Sequence, residues 1–111
     1  MRSYYIDEFV PGEVERLAEH LESMELSAGV GGLYWLPVPQ KLLTPIQQDH
    51  AHECGPYVLA LEILDGALRL ELLVRARNKL RCGCVAYAEQ GLVNHMILYL
   101  HELLDDLKIA S

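Results

Sequence analysis

Cationic side chains are scarce in this chain, and no long apolar run interrupts it. Nine Lys and Arg stand against sixteen Asp and Glu, giving a net charge of −7 and a pI near 5.1. A general nucleic-acid binder needs an overall basic footprint, so that class is set aside. The longest apolar stretches fall well short of the roughly 20 residues that span a bilayer, so no membrane association is expected. Met1-Arg2-Ser3-Tyr4-Tyr5 runs into Asp7 and Glu8, which interrupts any signal-peptide core. A cytoplasmic location is the resulting expectation. Cysteine is sparse as well. Cys54, Cys82 and Cys84 are an odd number for a disulfide framework, and reduced thiols are the default in such a setting. Gly29-Val30-Gly31-Gly32 lacks the spacing and the following helix of a phosphate loop. A hydrolase elbow, an EF-hand loop and an H-E-x-x-H pair are missing too. No catalytic residue is assigned, and an enzyme is not the favoured class.

What the chain does have is ordinary globular material: 51% hydrophobic and 23% charged residues, enough for one core and one domain spanning residues 1–111. Its most legible stretch is Pro56 to Arg77. Asp65-Gly66 suits a two-residue strand reversal, because Gly accepts the positive φ of such turns. Pairing Leu64 with Ala67 then sets Ile63–Leu68, Leu61–Leu70, Leu59–Leu72 and Tyr57–Val74 on one apolar face. Glu62 falls opposite Arg69 on the other face, with Ala60 against Glu71 and Val58 against Leu73. A one-residue slip would turn every side chain the wrong way, which fixes the parity. Arg77-Asn78-Lys79 reads as a three-residue turn into a third strand, pairing Ala76 with Leu80, Val74 with Cys82, Leu72 with Cys84 and Leu70 with Ala86. That register also sets Tyr87 opposite Arg69.

Three helices flank this meander. Val14, Leu17, Ala18, Leu21 and Met24 form one stripe of an amphipathic helix, with Pro11 suited to its first turn. Thr44-Pro45-Ile46-Gln47 is a helix start, with Thr at N-cap, Pro at N1 and Gln at N3. Gly55-Pro56 is the matching stop, Gly at C′ and Pro beyond it, so a short helix covers Pro45 to Cys54. From Gln90 to Leu107, Leu92, Val93, Met96, Ile97, Leu100, Leu103, Leu104 and Leu107 make a wide apolar stripe, with Leu98 out of place on the polar side. Tyr4-Tyr5-Ile6 is a short edge strand or a packed tail. Leu33 to Val38 is a strand that Pro37 places at an edge or ends. The expected fold is therefore α+β in two layers. An antiparallel sheet of about four strands, its meander over 56–88, carries N-terminal, short middle and long C-terminal helices mainly on one face.

Two groups of residues carry chemistry. His50 and Cys54 are four apart on the short helix and share a face, while Cys82 and Cys84 are two apart on the expected strand and point the same way. If helix and strand meet, these four make a Cys₃His metal site suited to zinc. On a regular strand C-x-C holds its sulfurs far apart, and Gly83 would have to relax the strand through a bulge. The plainer reading makes the three cysteines small core residues. His50 and His52 point about 200° apart on a helix, so His52, Asp49 and Glu53 are read as surface. A Cys54 nucleophile with His50 as base is disfavoured, because a helix C-terminus opposes a thiolate. The second group is basic: Arg69, Arg75 and Arg81 share the outer face of the expected meander, beside Arg77 and Lys79. They could receive an anion or an acidic partner segment, or they pair across strands with Glu62 and Glu71 and discourage strand addition. His95 and His101 are read as solvated.

The reading with the broadest support is a non-enzymatic protein-interaction or scaffold module acting as a homodimer. Its dimer surface would be the exposed sheet face or the Leu98 side of the last helix, and its protein partner is not specified by the sequence. The alternative is a small zinc-binding protein with a structural or regulatory ion at His50, Cys54, Cys82 and Cys84.

Overall fold

The computed structural model describes residues 2–79 and 81–110. Strand β1 (Ser3–Ile6) leads to helix α1 (Glu13–Ser23), strand β2 (Leu33–Pro37), a single 3₁₀ turn at Gln40–Leu42 and helix α2 (Pro45–Cys54). Strands β3 (Tyr57–Leu64), β4 (Ala67–Glu71), β5 (Leu73–Ala76) and β6 (Ala86–Tyr87) follow, and helix α3 (Gln90–Asp106) comes last. All strand pairings are antiparallel, and the class is α+β as expected. The sheet has six strands rather than about four.

The hairpin forms with the expected register near its turn: Leu64 faces Ala67, Ile63 faces Leu68, Glu62 faces Arg69 and Leu61 faces Leu70. Gly66 has φ +68°, as the turn requires. Beyond Leu70 the register departs from expectation. Tyr57 pairs with Ala76 and Val58 with Arg75, not with Val74 and Leu73. Two extra residues sit on the β4–β5 side, with the break at Leu72. An insertion of two preserves the in–out alternation, so Leu70, Val74 and Ala76 remain buried.

Leu72 joins two flanking strands. Its N–H donates to the Arg2 carbonyl at 3.1 Å, and its carbonyl accepts from the Ala88 N–H at 2.8 Å. Thus β1 lies along β4, and β6 lies along β5. Tyr4-Tyr5-Ile6 is accordingly an edge strand rather than a tail. On its other side β3 carries β2, Leu33 facing Glu62 through Pro37 facing Val58. Pro37 stands at the end of its strand, as its missing N–H demands.

The third strand of the expected meander is much reduced. Val74 pairs with Ala86 and Leu73 with Tyr87, so β6 holds two residues and Tyr87 is not opposite Arg69. Cys82 and Cys84 therefore lie in the loop before β6, not on a strand. The expected Ala76–Leu80 pair involves a residue outside those described.

Helices α1 and α3 bury apolar stripes in the core under the sheet, and α2 contributes Cys54 to it. Val14, Leu17 and Leu21 of α1, Cys54 of α2, and Leu92, Met96, Leu100, Leu103 and Leu104 of α3 join Leu36, Leu59, Leu61, Leu68 and Leu70 in one core. Each fully buried leucine contributes about 1.5–3 kcal/mol. Leu98 is 59% exposed, as its place on the polar side of the stripe implies. No helix among the described residues is long and apolar enough to cross a membrane.

Candidate metal centre

Helix α2 begins as its sequence dictates. The Thr44 hydroxyl accepts the Gln47 N–H and the Gln47 side chain accepts the Thr44 N–H, a reciprocal cap with Pro45 at the first helical position. The helix stops at Cys54, where Gly55-Pro56 sets its end. Gly55 itself is extended, with φ −64°. Its glycine is needed for a steric reason: a Cβ there would lie 2.6 Å from the Ala51 carbonyl oxygen. Between these limits, His50 and Cys54 stand one turn apart and face the same way.

The other two candidate ligands, Cys82 and Cys84, come from the loop before β6. Val85 N–H donates to the Cys82 carbonyl at 3.1 Å, closing a tight turn that contains Gly83 and Cys84. Sulfurs that a straight strand would hold apart converge across this turn. Three hydrogen bonds fasten the loop to α2 and its exit. The buried Gln47 amide donates to the Cys84 carbonyl at 3.0 Å, Asn78 N–H to the Cys54 carbonyl at 3.0 Å, and Arg77 N–H to the Pro56 carbonyl at 3.0 Å.

The result is a compact cluster. His50 Nδ1 lies 3.1 Å from Cys82 Sγ and 3.9 Å from Cys54 Sγ. One ligand atom from each of His50, Cys54, Cys82 and Cys84 falls within 4.8 Å of all the others. Tetrahedral zinc with bonds of about 2.3 Å to sulfur and about 2.0–2.1 Å to nitrogen sets ligand atoms about 3.6–3.8 Å apart. The cluster has that donor set at comparable separations, and it could hold a metal ion. Cys54 and Cys84 are buried and Cys82 is partly exposed; all three are free thiols.

The sulfurs differ sharply in acidity. Burial pushes the Cys54 thiol up to about 12, and hydrogen bonds and charge from Cys82 and Cys84 add to the effect. The Cys84 backbone N–H, aimed at the Cys82 sulfur, pulls Cys82 down to about 6, with help from the Cys84 thiol and His50 and against its own desolvation. Tyr57 donates its hydroxyl to Cys84 Sγ at 3.3 Å. Burial raises the Tyr57 phenol, reinforced by that hydrogen bond, so the phenol remains a donor to sulfur. Tyr57 and Gln47 are supporting residues that sequence reasoning missed, one read as a hairpin side chain and the other as a helix cap. The available signal was spacing: Gln47 precedes His50 by three residues, and Tyr57 follows Cys54 by three.

The remaining candidates are dispersed. Asp49, His52 and Glu53 are exposed on α2. Arg69 and Arg75 lie on the outer sheet face, ion-paired to Glu62 and Glu71 respectively. Arg81 is exposed in the loop before β6 and does not join them on the sheet, because the strand expected to carry it does not form there. His101 is not merely solvated: its Nε2 lies 2.6 Å from the Tyr4 hydroxyl, with the rings edge to face.

No family model matches the chain, and neither a curated protein nor a solved structure matches it.

Proposed function

We propose that the protein binds one zinc ion in a closed Cys₃His centre formed by His50, Cys54, Cys82 and Cys84. The observation that carries this reading is the convergence of four ligand atoms within 4.8 Å, drawn from two segments far apart in sequence. Core packing alone gives no reason for an imidazole nitrogen to face two sulfurs. Three thiolates and one imidazole suit zinc, and four protein ligands leave no open position for a substrate, which is the pattern of a structural or regulatory ion. The ion would join the last turn of α2 to the loop leading into β6. Tyr57, donating to Cys84 Sγ, and Gln47, holding the Cys84 carbonyl, would orient the ligands from outside.

The test is the metal content of tag-free protein together with thiol titration before and after chelation. The expected result is zinc near one per chain, with Cys82, the partly exposed thiol, reactive only after chelation. Metal-free protein that fails to take up zinc when reduced, with thiols exposed only on unfolding, would return the cysteines to the role of core residues.

A further inference from the structure

The outer face of the sheet is left open by the helices, whose buried residues join the core on the other side. Its middle is a depression of about 400 Å³, within the size range of ligand-binding clefts. Ala60 supplies a small floor, Leu33 and Trp35 an apolar wall, and the paired Arg69–Glu62 and Arg75–Glu71 side chains part of the rim. Around it, three arginines lie over aromatic rings: Arg2 over Tyr87 at 4.8 Å, Arg77 over Trp35 at 5.5 Å and Arg69 over Tyr5 at 5.8 Å. Stacking of this kind holds a guanidinium in place while leaving its edge donors free. Tyr5 and Tyr87 are 51% and 40% exposed, so the rings remain available for contact. Trp, Tyr and Arg are the residues on which binding energy at protein interfaces concentrates.

We propose that this face docks an acidic segment of a partner protein, with one apolar side chain of that segment seated over Ala60 against Trp35. Charge selects the occupant. Arg2, Arg69, Arg75 and Arg77 against Glu62 and Glu71 leave two positive charges in surplus here, on a chain of net −7. A second copy stacked face to face would bring two such surpluses together, whereas an acidic segment meets complementary charge. Nucleic acid would be repelled by the acidic remainder. Among the described residues, Arg2 and Arg77 have no carboxylate within ion-pair distance. The Arg69–Glu62 pair is solvent-exposed on both sides, and such a pair exchanges partners at little cost; Arg75 is held in two-point contact by Glu71.

The experiment is an NMR titration of isotope-labelled protein with an acidic decapeptide carrying one central phenylalanine. The expected result is saturable shifts at the Trp35 indole and at Ala60 and Arg75. Binding should weaken at least tenfold in an Arg69→Ala/Arg75→Ala variant, in Ala60→Leu, and with a peptide whose phenylalanine is replaced by serine. Both variants are checked for native shift dispersion, and added salt should weaken binding. No saturable shift on this face up to millimolar peptide would overturn the proposal, as would shifts confined to the helices or equal binding of the serine peptide. Self-association through the same residues, abolished by the same substitutions, would overturn it in favour of a homodimer.

Discussion

At the residue scale, the contrast between Cys82 and Cys54 gives the centre a pH signature. In metal-free protein Cys82 should react with iodoacetamide with a midpoint near pH 6, while Cys54, held up to about 12 and buried, stays inert across the neutral range. Mass-spectrometric mapping of the alkylated cysteine as a function of pH checks this. The same shifts govern folding. An unfolded thiol titrates near 9, so between about 6 and 9 the unfolded chain holds the proton that folded Cys82 has released, and stability rises with pH. Above 9 the sign reverses, because folded Cys54 retains a proton that the unfolded chain loses. Urea titrations of metal-free protein should therefore place a stability maximum near pH 9 for the thiol contribution. Tyr57→Phe removes the donor to Cys84 Sγ and leaves the ring packing in place. Zinc affinity should fall roughly tenfold, read by competition with a chelator of known affinity.

The elements differ in how much of them the sequence discloses. Helix α2 is written locally: Thr44, Pro45 and Gln47 specify its start within four positions, and all three perform as read. Thr44→Ala should lower stability by about 1 kcal/mol in a denaturant midpoint. Gly55→Ala should cost about 2 kcal/mol, because its methyl group meets the Ala51 carbonyl; a neutral result would dismiss the close approach as the reason for glycine there. The hairpin is equally local close to Gly66, and its register was legible as far as Leu70. Farther out, alternation could not decide. Leu70, Leu72, Val74 and Ala76 fit an inward-facing strand whether or not two residues are inserted, since parity is unchanged. Likewise Cys82 and Cys84, two apart, satisfy both a strand and a tight turn. The choice is made by contacts with Cys54, Gln47 and Pro56, which are remote in sequence and leave no periodic trace.

For the molecule as a whole, the α+β class was legible from apolar stripes and strand alternation. The partnerships of β1 with β4 and β2 with β3 were not, because a strand's own pattern does not name its neighbour. The core is built from all three helices and the inner sheet face and does not depend on the cysteine cluster for its bulk. Metal-free protein should consequently remain folded. Zinc at a thousandfold excess over its Kd would add about 4 kcal/mol, which for a domain of this size corresponds to a rise in Tm of roughly 15 °C. Calorimetry with and without chelator checks both parts; loss of the cooperative transition on chelation would show the core to be metal-dependent after all.

The hydrogen bonds of Gln47, Asn78 and Arg77 bring the two ligand-bearing segments together before any ion arrives. An ion bound there would meet ligands already gathered by the fold. The cluster offers four soft or borderline donors within 4.8 Å of one another. Calcium and magnesium, which demand six or more oxygens, have no way to satisfy their coordination inside it. On the proposed reading, discrimination among ions, more than survival of the fold, is what these four side chains would confer.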